Sequence, residues 1–240
     1  MVLKTKGKCK YCGKEYTKAY MGRHLSACKE RKKVLEGETG RTCGYFLLSV
    51  CGKYDSGYWL FAEMRDTATL EDLDSFLRDI WLECCGHLSA FYIDGVSYEL
   101  FPDEDDYWDV PVKSMKCKLK SVLKKGMSFS YEYDFGSTTE LIITVLGERK
   151  GHMNKEKLTL LSRNNPPVYT CDACGKKPAV AVCSNCFWSG EGWLCEDCAK
   201  THECGEEMLL KACNSPRVGV CAYDGSDIYP DQFVPDQDLS

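Results

Sequence analysis

The sequence lacks any long apolar run. No segment approaches the roughly 18 consecutive apolar residues that a membrane-spanning helix requires, and the first eight residues, MVLKTKGK, carry charge where a signal peptide would be apolar. These two absences predict a cytoplasmic protein that has no membrane partner.

Cysteine, by contrast, is abundant, with 17 residues in a chain of 240. In a short secreted chain such a number would indicate a disulfide scaffold. A chain without a secretory segment is expected to keep its thiols reduced, and reduced cysteines at short spacings are typical of metal sites.

The charge is unevenly distributed along the chain. Residues 1–40 hold eleven Lys or Arg and four Asp or Glu, a net charge of +7, so the remainder carries −12 of the total of −5. A basic segment on an acidic body predicts an anionic partner for that segment. The alternative is a basic terminus that only improves solubility.

Composition also divides the chain into zones. We predict a basic zinc finger at residues 1–35, an α+β core at 43–150, a cysteine-rich two-zinc module at 170–222 and an acidic, flexible tail at 223–240. Polar stretches at 36–41 and 150–167 predict linkers, because Asn-Asn-Pro-Pro and similar runs interrupt regular structure.

The core shows strand and helix patterns that together favour an α+β fold with a largely antiparallel sheet. Residues 45–50 and 58–63 predict one hairpin, and Asp94-Gly95 predicts the turn of a second. Thr69 is placed to cap an amphipathic helix that runs to Gly86. Aromatic residues alternate with polar ones at Phe129, Tyr131, Tyr133 and Phe135, which predicts one face of a strand, and residues 141–146 predict a strand deep in the sheet.

The amino-terminal motif has the spacing of a C2HC zinc finger. A two-cysteine knuckle is followed, after a gap of eleven residues, by a His and a Cys one helical turn apart, which lets four ligands close a tetrahedron. The predicted ligands are Cys9, Cys12, His24 and Cys28. So short a segment is not expected to fold without its metal.

The carboxy-terminal motif is denser and predicts two further ions, so about three zinc ions in all. Its eight predicted ligands are Cys171, Cys174, Cys183, Cys186, Cys195, Cys198, His202 and Cys204. In a cross-braced arrangement the first and third knuckles share one ion; in a sequential arrangement the first and second do. Cys213 is an alternative to Cys204, and an iron–sulfur cluster is the alternative to zinc.

The other cysteines and histidines are interpreted without a metal. Cys43, Cys51, Cys84, Cys85 and Cys117 stand in apolar stretches, so we expect them to be small core residues. His87 and His152 are expected to be surface or capping residues.

Two sets of short motifs resemble a known family. The first set is Tyr133-Asp-Phe-Gly136 and the Leu-x3-Leu-Lys-Lys-Gly segment at 119–126, and the second lies at 202–208 and 214–223. They resemble the pRiA plasmid ORF-like proteins, also described as the TnpR-like passenger domain of an insertion element. The resemblance implies an α+β domain and a link to mobile elements, and it brings no catalytic residues. The family's acidic residues after the glycine are replaced here by Ser137-Thr-Thr139.

Nucleic-acid binding by the basic finger, as an accessory or regulatory protein, is the leading functional hypothesis. Cations around a finger can neutralise the phosphates of DNA or RNA. The predicted phosphate-binding residues are Lys10, Lys14, Lys18, Arg23, Lys29, Arg31, Lys32 and Lys33.

The second hypothesis is an adaptor that binds a protein partner through the carboxy-terminal zinc module. An enzyme is the third and the least favoured. Asp134-Phe-Gly136 matches the metal-binding triplet of kinases, but the other kinase motifs are missing. The acidic run at 103–106 is the other candidate, as a divalent-cation site.

Overall fold

A computed structural model of the chain describes residues 4–102 and 111–235. The candidate cation site at 103–106 lies outside the described residues. The chain divides into two compact units, of which the first comprises Met1–Phe76, Leu88–Asn165 and Phe233–Ser240, and the second comprises Leu77–His87 and Pro166–Gln232. Within the described ranges, no helix is both long enough and apolar enough to span a bilayer.

The first unit contains a large sheet and several short helices. Its strands are β1 Lys6–Lys8, β2 Glu15–Thr17, β3 Thr42–Gly52, β4 Trp59–Arg65, β5 Ser89–Ile93, β6 Val96–Glu99, β7 Val112–Ser114, β8 Ser128–Tyr133, β9 Thr139–His152 and β10 Leu158–Arg163. Its helices are α1 Lys18–Ala27, α2 Lys29–Gly37, α3 Leu70–Leu77, whose last residue is assigned to the second unit, and α4 Leu119–Val122.

Eight strands form one sheet in the order β10-β4-β3-β9-β8-β5-β6-β7. Neighbouring strands are antiparallel except for β6 and β7. The predicted α+β class with a largely antiparallel sheet is confirmed. The linker predicted at 150–167 is wrong in part, because β9 extends to His152 and β10 pairs with β4 as an edge strand.

Local sequence signals produced the expected elements in most of the core. The two predicted hairpins form, and the second turns at Asp94 and Gly95 with φ angles of 49° and 77°, as a two-residue turn requires. Thr69 and Asp72 cap α3 reciprocally, since each backbone N–H donates to the other side chain at 2.9 and 3.1 Å. The helix is shorter than predicted, because a π-helical turn at Arg78–Leu82 replaces its last turns.

The aromatic strand β8 buries three of its four predicted rings. Phe129, Tyr131 and Tyr133 lie in the core, whereas Phe135 is 48% exposed. Asp134 takes a left-handed conformation with φ of 64°, which ends the alternation before Phe135. Phe135 therefore does not belong to the buried face.

The amino-terminal finger packs directly on the large sheet. Met21 and Leu25 of α1 are buried in one cluster with Trp59 and Phe61 of β4. Gly22 lies between Met21 and Leu25 in the sequence, and a Cβ atom at Gly22 would stand 3.2 Å from a ring carbon of Phe61. The helix can approach the sheet so closely because this position has no side chain.

The second unit is smaller. Strands β11 Ala181–Cys183, β12 Trp193–Leu194 and β13 Leu209–Lys211 form a sheet in the order β12-β11-β13, beside helix α5 Glu196–Ala199. Part of the predicted flexible tail is ordered here. Tyr223 is buried, and the Asp231 carboxylate accepts a hydrogen bond from the Asn214 backbone at 2.8 Å.

A buried carboxylate joins the finger region to the sheet. Glu63 of β4 is 3% exposed and accepts hydrogen bonds from Arg31 of α2 at 2.5 Å and from Arg149 of β9 at 2.5 and 2.8 Å. The predicted phosphate-binding role of Arg31 is therefore wrong, because its guanidinium is buried and already neutralised. The pair keeps each buried charge neutralised, and removal of one partner from such a pair is strongly destabilising.

We predict that Glu63→Gln lowers the free energy of unfolding by about 3 kcal/mol, since it removes the carboxylate that pairs with the buried guanidinium of Arg31 and the half-buried one of Arg149. Urea unfolding in zinc-containing buffer would measure the change. Glu30→Gln is the matched control, because Glu30 pairs with Lys33 on the surface, where such pairs contribute about 0–1 kcal/mol. Equal effects of the two substitutions would contradict the prediction.

Candidate metal centres and a basic groove

Four groups of cysteine and histidine side chains converge in the described residues. In each group the ligand atoms lie within 4.8 Å of one another, close enough for one metal ion. Group 1 is Cys9, Cys12, His24 and Cys28; group 2 is Cys171, Cys174, Cys195 and Cys198; group 3 is Cys183, Cys186, His202 and Cys204; and group 4 is Cys84, Cys85, His87 and Cys221.

Group 1 lies in the finger. The knuckle follows β1, and the backbone N–H of Gly13 donates to the carbonyl of Cys9 at 2.9 Å, which closes its turn. Helix α1 brings His24 within 3.3 Å of the Cys12 sulfur, and the Tyr16 ring stacks on the imidazole with centroids 4.4 Å apart. The four ligands predicted from spacing thus meet at one point.

Groups 2 and 3 combine the carboxy-terminal knuckles. The first and third knuckles meet in group 2, where the sulfurs of Cys174 and Cys195 are 4.0 Å apart. The second knuckle meets His202 and Cys204 in group 3, where Cys186 lies 3.5 Å from the imidazole and 3.6 Å from the Cys204 sulfur. This is the grouping that the cross-braced alternative predicts, and Cys204 occupies the place for which Cys213 was the alternative.

The small sheet explains why the knuckles interleave. Cys183 ends β11 and Cys195 follows β12, so the antiparallel pairing of these strands places the second and third knuckles at opposite ends of the pair. The second and third knuckles therefore do not share an ion, and each combines with other ligands. Tyr169 stacks on Trp193 of β12, with centroids 3.7 Å apart, just before the first knuckle begins.

The electrostatics of two thiols favour metal binding. Burial opposes ionisation of Cys171, but backbone N–H groups of Cys195 and Cys174 outweigh it and lower the thiol pKa to about 6. Burial likewise opposes ionisation of Cys183, and the Cys186 backbone and the His202 side chain lower its pKa to about 7. Thiolate is the form that binds metal.

Other thiols shift in the opposite direction. Hydrogen bonds with the neighbouring thiols of Cys204 and Cys195 raise the pKa of Cys186 and Cys198, respectively, to about 12.

In the finger, burial raises the pKa of the Cys9 thiol to about 12, so its proton must be displaced by the metal itself. Burial and the nearby Lys14 lower the pKa of His24, which favours the neutral imidazole that a metal requires.

Group 4 was missed in the sequence. Cys84 and Cys85 were expected to be core residues and His87 a surface residue, but Cys85 is exposed and all three converge with Cys221. The tetrapeptide Cys-Cys-Gly-His was a usable signal, because three possible ligands lie within four residues. Its fourth ligand is over 130 positions away in the sequence, so no spacing rule could find it.

The predicted cations of the finger are distributed over several surfaces. Lys14, Arg23, Lys29, Lys32 and Lys33 are exposed, while Lys10 and Lys18 are half-buried. Lys33 pairs with Glu30 at 3.1 Å. Arg31, as described above, is buried against Glu63.

Two of these cations line a groove between α1 and the sheet. Its basic residues are Lys4, Lys18 and Arg23, its hydroxyl groups belong to Thr5, Thr17, Ser26, Ser49, Ser56 and Thr144, and its aromatic rings are those of Tyr20, Trp59 and Phe61. No carboxylate is present among the described residues that line it. The groove thus combines positive charge and hydrogen-bonding groups with one exposed ring, that of Tyr20, since Trp59 and Phe61 are buried in its floor.

Comparison with known proteins bears on the sheet domain. Residues 58–173 match the family of plasmid pRiA4b ORF-3-like proteins. The match begins at β4, covers the motifs at 119–126 and 133–136, and supports the resemblance noted from them. The finger and most of the carboxy-terminal cysteines lie outside the matched segment.

A crystal structure of a protein of unknown function from Methanosarcina mazei Go1 is similar to part of the chain. The alignment covers 50% of this chain and 70% of that protein, with 17% sequence identity and a TM-score of 0.44. No curated protein matches the chain.

We predict that cadmium-substituted protein will show the cross-braced grouping by proton–cadmium correlation NMR. The ring protons of His202 and the β protons of Cys183 should correlate with one cadmium resonance, because both side chains lie in group 3. A shared resonance between His202 and Cys195 would instead support the sequential arrangement.

Proposed function

We propose that the protein is a zinc-binding, non-enzymatic nucleic-acid-binding protein whose binding surface is the groove between α1 and the sheet. The observation that carries this proposal is the composition of the groove, which has cations, hydroxyl groups and the exposed ring of Tyr20, and lacks a lining carboxylate among the described residues. Phosphate backbones select such surfaces through charge, and unstacked bases select ring faces.

Zinc is the proposed ion for groups 1, 2 and 3. Sets of four cysteines, or of three cysteines and one histidine, suit its preference for tetrahedral sulfur and nitrogen ligands. Four protein ligands leave no open coordination position, so these ions would stabilise structure and would not activate water. The small modules at both ends of the chain require such support, because they bury little apolar surface of their own.

The finger helix directs its reading positions into the groove. Counted from the start of α1 at Lys18, the residues at positions −1, 3 and 6 are Thr17, Tyr20 and Arg23, and all three line the groove. These are the positions through which a zinc-finger helix contacts bases. Tyr20 is 61% exposed, and the Arg23 guanidinium lies 4.7 Å from its ring centroid.

The packing of the finger favours a single strand over a duplex. A helix that reads the major groove must enter it, but α1 is held against β4 through Met21, Gly22 and Leu25. A single strand can lie in the groove, with phosphates near Lys18 and Arg23 and a base stacked on Tyr20. Stacking of this kind contributes about 1–3 kcal/mol per base.

A link to mobile elements, and the description as a TnpR-like passenger domain, belong to this proposal as well. They rest only on the resemblance to plasmid-derived proteins. No contact among the described residues supports them further.

We predict that the double substitution Lys18→Ala and Arg23→Ala weakens binding to single-stranded oligonucleotides and reduces the salt dependence. Each lost phosphate contact should reduce the slope of log affinity against log salt by about 0.7. Fluorescence anisotropy over a salt titration, with single-stranded DNA, single-stranded RNA and duplex DNA of one sequence, would measure both effects.

Lys113→Ala is the matched control, because Lys113 is an exposed lysine of β7 at the far edge of the sheet from β4. It should leave affinity and slope unchanged. If wild-type protein binds none of the probes, or if the control loses as much as the double variant, the groove is not a nucleic-acid site.

A second candidate function is protein binding by the carboxy-terminal module. Trp188, directly after the second knuckle, is 67% exposed, and Val180 is 51% exposed. Exposed aromatic side chains of this size are enriched at protein interfaces.

For this adaptor function we predict that Trp188→Ala abolishes the crosslinks that wild-type protein forms through its second unit, while zinc content is unchanged. Crosslinking in cells followed by mass spectrometry would map the contacts. Crosslinks confined to the groove around α1 in both proteins would argue against the adaptor.

A further inference from the structure

Group 4 differs from the other groups in how the chain assembles it. Cys84, Cys85 and His87 follow the π-helical turn Arg78–Leu82, and Cys221 lies in the loop after β13. Both segments belong to the second unit, which the chain enters at Leu77, leaves at His87 and enters again at Pro166. Group 4 therefore joins two segments that are distant in sequence and lie in one compact body.

Two distances within group 4 match those expected in a tetrahedral zinc site. With zinc–sulfur bonds of about 2.3 Å and zinc–nitrogen bonds of about 2.05 Å, tetrahedral geometry separates two sulfurs by about 3.8 Å and sulfur from nitrogen by about 3.6 Å. The Cys85 and Cys221 sulfurs are 3.7 Å apart, and the Cys221 sulfur is 3.5 Å from Nε2 of His87. Group 3 shows the same separations, 3.6 and 3.5 Å.

The backbone is shaped to bring these ligands together. The chain bends at Cys84 and Cys85, and Gly86 takes a left-handed conformation with φ of 71°, which turns His87 back toward the cysteines. Cys221 is itself left-handed, with φ of 56°. Such a conformation is unfavourable for a residue that carries a side chain, and a metal bond from its sulfur is a contact strong enough to offset that cost.

Hydrogen bonds hold the two segments in register beside the group. The Ser215 hydroxyl donates to the Trp81 carbonyl at 2.6 Å, and the Ser226 hydroxyl donates to the Asp79 carbonyl. The Trp81 side chain is fully buried. Because these bonds flank the cysteines, the ligands are prepositioned, and convergence does not depend on the ion alone.

Exposure separates group 4 from the rest. Groups 1, 2 and 3 each include at least one buried cysteine, whereas none of the four ligands in group 4 is buried and both Cys85 and Cys221 are exposed. Water and a competing chelator can reach these sulfurs directly.

We propose that Cys84, Cys85, His87 and Cys221 form a fourth zinc site, and that its ion exchanges with the solvent faster than the ions of the other groups. When it holds zinc, the site would add a metal link between residues 84–87 and the loop at Cys221. This inference does not depend on the nucleic-acid function of the groove.

The test uses the full-length, zinc-loaded protein, with elemental analysis and transfer of zinc to a chromophoric chelator. Wild type should contain four equivalents, one for each group, and release one of them first. Supporting contacts around metal ligands change affinity by about 10–100-fold, so we expect the first phase to be at least about tenfold faster than the others. Cys85→Ser and Cys221→Ser should each contain three equivalents and lack the fast phase.

Cys117→Ser is the matched control, because Cys117 belongs to none of the four groups and should keep both the zinc content and the fast phase. Since Cys85 and Cys221 are exposed, their serine variants should retain the circular dichroism of wild type. Cobalt-substituted protein gives a second measurement: the tetrahedral cobalt bands should fall by one quarter in each variant. Three equivalents in wild type, four in both serine variants, or release of all zinc in one phase would overturn the proposal.

Discussion

The convergence of thiol and imidazole groups is the constraint on which both ends of this chain depend. The finger and the small sheet of the second unit have strands of only two or three residues, and elements so short gain little from their own hydrogen bonds or apolar burial. In both places, possible metal ligands converge in groups of four, and metal binding there is our proposed substitute for the missing core. The turns, the knuckle hydrogen bonds and the stacked rings of Tyr16 and Tyr169 are arranged around that requirement.

The large sheet supplies the packing surface that the finger lacks. Trp59 and Phe61 provide an apolar surface for α1, and Glu63 on the same strand receives the guanidinium of Arg31. One strand thus makes both an apolar and a charged contact with the finger region. This docking turns one side of α1 toward the sheet, which creates the groove and decides which cations line it. The two arginines of this region therefore differ in role: Arg31 forms a structural ion pair, whereas Arg23 lines the groove.

Predictions from the sequence agree with the structure where they depend on residues close together in the chain. The capping box at Thr69, the Asp94-Gly95 turn and the finger ligands are specified within one or two turns of chain, and all form as their patterns predict. Strand β10 was missed because its pairing partner β4 lies about a hundred residues away. Phe135 was misplaced because one left-handed residue, Asp134, ended the alternation.

The sequence by itself determined the fold class, the positions of most core elements and the possible metal ligands of groups 1, 2 and 3, because these depend on periodicity and on short spacings. Only the tertiary structure decided which knuckles meet, that Cys221 joins Cys84, Cys85 and His87, and that Arg31 is buried. Those outcomes depend on distances between residues far apart in the chain, which are fixed by strand pairing and packing and leave no local pattern in the sequence.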